Sequence, residues 1–135
     1  MPHEKGVPSV EWKAYNHALR AQAFSKGRPV IIDFYADWCL PCKELDRFSF
    51  SDRRVVELST RFLTLKADLT RQESPEAAEL TRHFDVKGVP TIVFLDGSGK
   101  EIQDLRLVSF EAADALLARM RRALEAGGPS NGGTK

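Results

Sequence analysis

The sequence predicts an α/β fold in which a mixed central sheet carries helices on both faces. An apolar run over residues 30–36 barely alternates with polar residues, which is typical of a strand buried on both faces. Apolar stripes at helical spacing lie between the predicted strands. A turn at 96–99, Asp-Gly-Ser-Gly, joins two later strands directly. A strand–helix–strand unit followed by a hairpin gives a sheet with both parallel and antiparallel pairs.

Composition limits the classes of function. A chain of 135 residues with 42% hydrophobic and 29% charged residues is ordinary for one globular domain. A net charge of +1 gives no strong attraction to nucleic acid or to an anionic membrane. No apolar stretch approaches the length of a membrane span. The first six residues lack an apolar signal core, so we expect either a cytosolic protein or a mature or excised piece of a larger one.

The predicted organisation is a single domain over residues 10–126. Residues 1–9 contain Gly and two prolines and are expected to be a flexible lead-in. Residues 127–135 are rich in Gly, Ser, Pro and Asn and are expected to be a disordered tail. The sequence contains no internal repeat.

The first half of the domain contains three predicted helices and two strands. Ser9 is positioned to cap a helix that runs to about Lys26 and stops at Gly27. One face of this helix is expected to pack on the core through Trp12, Tyr15, Leu19 and Ala23.

After the first strand, a helix is predicted from about Leu40 to Phe50, with Leu45 and Phe48 facing inward. Ser51 or Asp52 can cap a short third helix with Val55, Leu58 and Val56 on its apolar side. The second strand is expected over 62–68.

The second half begins with a clear helix start. Ser74 is a cap, Pro75 occupies the first helical position, and an apolar stripe follows at Ala77, Leu80 and Phe84. His83 is interpreted as a solvated residue at the end of this helix.

A strand over 92–95 and a returning edge strand over 101–108 flank the turn at 96–99. Ser109 is predicted to cap the last helix, which Gly127 would end. The stripe of this helix is Phe110, Ala113, Leu117, Met120 and Leu124.

The only two cysteines stand at the junction between the first strand and the next helix, in Trp38-Cys39-Leu40-Pro41-Cys42-Lys43. A Cys-x-x-Cys at such a junction is typical of a redox motif. The exposed N–H groups and the dipole of the helix N-terminus favour the thiolate of the first cysteine. Trp38 supplies an apolar neighbour, and Pro41 lies in the first turn, where its missing N–H removes no helix bond.

Three other interpretations of the cysteine pair stay open. A structural disulfide would close a very small loop and stabilise little. Structural zinc needs about four ligands, and His3, His17 and His83 are scattered at no ligand-like spacing. The cysteines could also be buried and inert, but the proline between them at a helix start argues against that interpretation. Redox chemistry is the interpretation that the spacing favours.

Asp33 interrupts the first strand six residues before Cys39. A carboxylate in a buried strand is costly unless it has a partner or a task. Asp33 is therefore a second candidate functional residue.

These features together resemble the thioredoxin superfamily. Residues 30–43 match its strand, its Trp-Cys-x-x-Cys motif and its helix, and Gly88-Val89-Pro90-Thr91 matches its cis-proline loop. More narrowly, the chain resembles the C-terminal periplasmic domain of DsbD-type transmembrane electron transporters over roughly residues 10–125. The stretches that carry the narrower resemblance are 35–44, 50–52, 67–70 and 88–92. Leu40 departs from cytosolic thioredoxins, which usually have Gly there.

The resemblance implies a thioredoxin fold and a role for each of several residues. Cys39 would be the attacking, more exposed thiol, and Cys42 the buried resolving thiol. Asp33 matches the buried acid under the active site. Asp46 matches a second acid near the thiols, although a solvated helix residue is an equal interpretation of it.

The same resemblance implies the substrate-binding residues. Pro90 would be cis and packed against the disulfide, and Val89 would offer its backbone to a substrate chain as an added strand. Trp38, Leu40 and Pro41 would complete the substrate-binding surface.

The expected activity is thiol–disulfide exchange with disulfide-containing proteins or with another thiol–disulfide domain. The redox-active group is the Cys39–Cys42 pair itself, so no further cofactor and no metal are expected. We expect a periplasmic monomer, with a cytoplasmic protein as the alternative. A stand-alone reductase or isomerase is the close alternative function, and a binding module whose cysteines are structural or bind metal is the alternative from another class.

Overall fold

A four-stranded mixed sheet forms the centre of the molecule. The computed structural model describes residues 8–126. Residues 1–7 of the predicted lead-in over 1–9, the predicted tail over 127–135 and the helix stop at Gly127 therefore lie outside the described residues.

The strands are β1 (Lys13–Ala14), β2 (Val30–Tyr35), β3 (Leu63–Asp68) and β4 (Thr91–Leu95), in the spatial order β1-β3-β2-β4. The strand β2 pairs in parallel with β3 and antiparallel with β4, so the predicted mixed sheet is confirmed. Both central strands are almost wholly buried, as the near-continuous apolar run of β2 predicts.

Helices cover both faces of the sheet. Within residues 8–126 the α-helices are α1 (His17–Ser25), α2 (Leu40–Glu44), α3 (Arg53–Ser59), α4 (Pro75–His83) and α5 (Ala113–Ala126). One hydrophobic cluster joins α1 and α4 to the sheet through residues such as Ala23, Phe34 and Ala77. A second cluster joins α3 and α5 to the other face through Val55 and Leu116.

The N-terminal helix is shorter than predicted. It begins at His17 rather than after Ser9, because the Asn16 side chain accepts a hydrogen bond from the N–H of Leu19 and caps it there. Residues 13–14 form the edge strand β1 beside β3 instead. Trp12 therefore reaches the core from outside the helix, and its ring packs edge-on against Phe50 with 5.0 Å between centroids.

The helix after the cysteines changes character at Leu45. Residues Leu45–Ser49 form a π-helical turn, in which the N–H of Phe50 donates to the C=O of Leu45 at 2.8 Å. The wider turn moves Ser49 and Phe50 into the buried position and Phe48 out to solvent. The prediction that Phe48 faces inward is wrong for this reason, while Leu45 is buried as predicted.

The segment after β4 is not a continuous strand. It makes isolated bridges from Glu101 to Leu95 and from Leu107 to Ile92, with a 3₁₀ turn over Gln103–Leu105 between them that buries Leu105. The last helix begins at Ala113 rather than after Ser109. Phe110 is consequently exposed before the helix instead of lying on its buried stripe.

The other boundaries agree with the sequence. Asp52 caps α3 and Ser74 caps α4, each through a side-chain oxygen that accepts a backbone N–H. The side chain of Asp96 accepts the N–H groups of Ser98 and Lys100 and so closes the predicted hairpin turn. Within residues 8–126, no helix has both the length and the apolar character needed to cross a bilayer.

Candidate active site

The two cysteines form a disulfide at the start of α2, with 5.3 Å between their Cα atoms. Cys39 has an extended backbone and caps the helix, and the N–H of Cys42 donates to its Sγ at 3.2 Å. The start of the helix follows from the sequence, since Leu40 and Pro41 occupy its first positions. This arrangement places a backbone donor at the sulfur that would carry negative charge after reduction.

Both cysteines are buried in the disulfide form. The residue exposure is 4% for Cys39 and 5% for Cys42, so the expectation that Cys39 is the more exposed of the two is wrong for this state. The bond holds the Cys39 sulfur close to the first turn of α2, where Tyr35 and Val89 pack against the cysteine cluster. A partner therefore has to approach through the residues around the disulfide.

The loop before β4 faces the disulfide. The Val89–Pro90 peptide bond is cis, as the resemblance implies, and Pro90 is buried. Val89 is partly buried against the cysteine cluster. Neither the N–H nor the C=O of Val89 has a backbone hydrogen-bond partner within residues 8–126, so both groups are available to another chain.

Two apolar side chains next to the cysteines in the sequence are exposed. Trp38 is 57% and Leu40 64% exposed, while Pro41 is partly buried. Large apolar side chains left in water next to a reactive group are typical of a protein-binding surface. Trp38 precedes Cys39 in the sequence, and Leu40 and Pro41 lie between the two cysteines. Of the cis-proline loop, Val89 packs against the cysteine cluster.

A hydrogen-bond network that the sequence analysis missed holds the turn before Cys39. The Thr70 hydroxyl accepts the N–H of Asp37 at 2.9 Å and donates to the Asp68 carboxylate at 2.5 Å. The indole N–H of Trp38 donates to the C=O of Thr70 at 3.2 Å. These bonds tie the approach to Cys39 to the end of β3. The available signal was an Asp at the last position of a buried strand and a Thr two residues later, at the edge where the parallel strand β2 also ends.

The buried acid predicted from the sequence lies on the same side of the sheet as α2. Asp33 is 3% exposed, and its Oδ1 has no hydrogen-bond partner among the described residues. Burial raises the pKa of Asp33 to about 7, while the nearby charge of Lys66 lowers it and that of Asp46 raises it. A carboxyl group in this range is divided between its protonated and ionised forms near neutral pH.

Lys66 is the second residue that the sequence analysis missed. It is the register partner of Asp33 in the parallel pair of β2 and β3, and its Nζ lies 2.9 Å from the Asp46 carboxylate. The ammonium also lies 4.7 Å from the centre of the Tyr35 ring. Asp46 is thus an exposed residue of the π-helical turn that pairs with Lys66. A lysine on the Asp33 side of β3 was the signal for this pair.

The described residues contain no group of three or more His, Cys, Asp and Glu side chains that could hold a metal ion. His17 and His83 are both exposed, with 6.1 Å between ring centres, and His83 lies at the end of α4 as expected. His3 lies outside the described residues.

Comparisons with known proteins agree with this geometry. A family described as thioredoxin-like matches residues 11–97. The thiol:disulfide interchange protein DsbD of Ralstonia nicotianae is 43% identical over 126 residues, which are 91% of this chain and 20% of that protein. DsbD of Escherichia coli K12 is 37% identical over 109 residues, or 81% of this chain and 19% of that protein. The chain therefore spans about a fifth of the length of these relatives.

Two solved structures are similar over most of the chain. The oxidised C-terminal domain of DsbD from Neisseria meningitidis has a TM-score of 0.69 at 24% identity and covers 84% of this chain and 99% of that one. A thioredoxin from Thermus thermophilus has a TM-score of 0.73 at 32% identity and covers 89% of this chain and 91% of that one. A family match over more than half of the residues shows that the chain belongs to the thioredoxin-like family.

Proposed function

We propose that this chain is a thiol–disulfide oxidoreductase that reduces disulfides in partner proteins. The observation that carries the proposal is the Cys39–Cys42 disulfide at a helix start, with the free backbone of Val89 beside it. The DsbD relatives are thiol:disulfide interchange proteins by name, which supports the same chemistry.

The reductive cycle begins with the dithiol form. The Cys39 thiolate attacks one sulfur of the partner disulfide, which forms a mixed disulfide and releases the other partner sulfur as a thiolate. Cys42 then attacks the Cys39 sulfur, re-forms the Cys39–Cys42 disulfide and releases the second partner thiolate. Two electrons pass to the partner, and another dithiol must reduce the chain before the next cycle.

Asp33 has the proton affinity that the second step needs. Cys42 must lose its proton to attack, and a carboxyl group with a pKa of about 7 can accept that proton at neutral pH. The assignment of Asp33 as this base is part of the proposal. We expect Asp33→Asn to slow resolution of the mixed disulfide, and unchanged kinetics would remove Asp33 from the mechanism.

We propose that the charges on the α2 side of the sheet favour the reductive direction of electron flow. Negative charge on Asp33 and Asp46 would oppose thiolate formation, and Lys66, which is paired with Asp46, would offset part of that effect. A poorly stabilised thiolate suits a reductant, whereas a strongly stabilised one suits an oxidant. Because relatives of this chain are DsbD proteins, we further propose a periplasmic location and a relay between thiol–disulfide domains.

The reduction potential of the cysteine pair tests the proposal. Trp38 lies next to the disulfide, so its fluorescence can follow a titration against a dithiol buffer. A potential of about −230 to −270 mV supports an electron donor. A potential of about −120 to −180 mV would indicate an oxidase or isomerase instead.

Two cysteine variants separate an enzyme from a binding module. Cys39→Ser should abolish reduction of insulin disulfides, whereas Cys42→Ser should still attack and accumulate the mixed disulfide. A binding module would keep its partner in both variants. Reduction of insulin by Cys39→Ser at the wild-type rate would contradict the proposed function.

A further inference from the structure

A groove runs from the cis-proline loop to α4. It has a volume of about 480 Å³ and lies between Leu69, after β3, and the helix residues Ala78, Thr81 and Arg82. Val89 lines it and also packs against the cysteine cluster, so the groove opens directly beside the disulfide.

The walls of the groove are apolar at the bottom and cationic at the rim. Leu69 and Val86 are buried, whereas Arg82 and Lys87 are exposed. The lining residues include these two cations and no carboxylate. Lys87 has a partner outside the lining, Asp85 at 3.1 Å, but both side chains are largely exposed and such pairs contribute little. Arg82 forms no ion pair within residues 8–126.

Gly88 leaves the entrance of the groove open. Its φ is not in the left-handed region, and a Cβ added there would meet no atom within 4 Å. The fold itself therefore needs neither the conformational freedom of this glycine nor its missing side chain. The fold thus gives no reason for a glycine at position 88. Because Gly88 lies next to the unpaired backbone of Val89, its missing side chain is consistent with close approach by another chain.

We propose that this groove binds the segment of the partner protein next to its reactive cysteine, and that this segment carries an apolar side chain flanked by acidic ones. The inference rests on the proposed function and names its substrate class. The apolar side chain would lie over Leu69 and Val86, and the acidic ones would face Arg82 and Lys87.

The geometry of an added strand supports this occupant. A segment that pairs with Val89 in an extended conformation has side chains that alternate between two sides. When the cysteine of the segment faces the disulfide, residues further along the segment pass over Gly88 and enter the groove. Carboxylates on the segment would meet Arg82 and Lys87 at the rim, which raises the rate of encounter more than the strength of the final complex.

Two peptides test the charge preference. Both are disulfide-linked homodimers of one short sequence with a leucine near the cysteine, and they differ only in whether glutamate or lysine flanks the leucine. The full chain, reduced with dithiothreitol, should reduce the acidic peptide with a kcat/KM about tenfold higher than the basic one at low salt. The difference should shrink as salt screens the charges. Equal rates for the two peptides at low salt would overturn the proposal.

Charge reversal tests the location. The double variant Arg82→Glu, Lys87→Glu should lose the preference for the acidic peptide or invert it. The control Lys100→Glu, Arg122→Glu changes the net charge equally, through exposed residues of the hairpin turn and of α5. This control should keep the wild-type preference. If the control lost the preference equally, the effect would belong to net charge and not to the groove.

Gly88→Leu tests the groove by filling it. Because the position is open and the backbone needs no glycine, the variant should fold with an unchanged Tm and an unchanged reduction potential. Relative to its own rate of exchange with dithiothreitol, which is measured in parallel, it should reduce both peptides more slowly than the wild-type chain does. Unchanged peptide rates would overturn the proposal. Failure of the wild-type chain to exchange with dithiothreitol at all would instead overturn the proposed function.

Discussion

The two faces of strands β2 and β3 differ in what they bury. On the face towards α1 and α4, the alternate residues are all apolar: Val30, Ile32, Phe34, Leu63, Leu65 and Ala67. On the face towards α2, the same strands carry Asp33 and Lys66 as register partners. Both faces bury a hydrophobic cluster, but only the face towards α2 also contains a buried acid and a half-buried cation, and it is called the polar face below.

This difference shows where the fold gives up stability. The apolar face gains free energy from every buried side chain. The polar face buries a carboxyl group whose pKa is raised to about 7, which means that its ionised form is disfavoured in the folded state. We infer that the hydrophobic clusters on both faces hold the sheet together, and that Asp33 is kept on the polar face for the chemistry above it.

Truncation on the apolar face should give the largest loss of stability. Phe34 is fully buried in that cluster, so Phe34→Ala should reduce the free energy of unfolding by about 3–5 kcal/mol. The reduction potential of the remaining folded protein should be unchanged, because the side chain points away from α2. Urea unfolding and a redox titration measure the two effects. A large shift in the reduction potential would show that the apolar face also influences the cysteine pair, and would contradict the separation of the two faces.

Removal of the Asp33 charge on the polar face should increase the free energy of unfolding instead of reducing it. Between pH 4 and 7 the folded form of Asp33 binds more protons than the unfolded form, so its contribution to stability falls as the pH rises through this window. Asp33→Asn should therefore raise the free energy of unfolding by up to about 4 kcal/mol at pH 8 and by almost nothing at pH 4.

Urea unfolding of both proteins at several pH values measures this dependence. Asp104→Asn, at an exposed carboxylate, serves as the control and should change stability little at either pH. A stability gain of Asp33→Asn that is equal at pH 4 and pH 8 would show that the gain does not come from ionisation.

The network at the end of β3 should have a smaller effect. Thr70→Val removes the bonds to Asp37 and Asp68, which should cost about 1–2 kcal/mol of unfolding free energy. The fluorescence change of Trp38 on reduction should also alter, because its indole is bound to the Thr70 carbonyl. Thr60→Val, whose hydroxyl bonds only within its own helix end, is the control and should leave the fluorescence change as in wild type.

The smallest and most specific effects concern the neighbours of Asp33. Lys66→Met should raise the pKa of Asp33 further and Asp46→Asn should lower it, because the two charges act on it in opposite directions. The pH dependence of mixed-disulfide resolution should shift up in the first variant and down in the second. Shifts in the same direction would show that the ion pair acts by packing rather than by charge.

The sequence predicted those parts of the molecule that depend on local pattern. The strand at 30–35, the caps at Asp52 and Ser74, and the turn at Asp96 follow from residue spacing and side-chain hydrogen bonds, and the structure confirms them. The disulfide and the cis bond before Pro90 agree with the expectations that the motifs and the resemblance gave.

The parts that were missed depend on contacts between distant segments. The start of α1 at His17 depends on the Asn16 cap and on the pairing of residues 13–14 with β3, and no local pattern shows that pairing. The network from Asp37 to Thr70 joins residues 33 positions apart. The ion pair of Lys66 and Asp46 likewise joins a strand to a helical turn, so it becomes visible only once the register of β2 and β3 is known.

The π-helical turn at Leu45–Ser49 has a consequence for how this segment can change in evolution. A π-helical turn holds one more residue than an α-helical turn between the same two contacts, so it is equivalent to a one-residue insertion. Phe48 takes up the additional length on the outside, and the residues before and after the turn keep their buried positions. A deletion of Phe48 would remove the bulge and leave Cys42 and Phe50 in place. We therefore expect homologues that lack a residue here to have a regular α-helix in this segment.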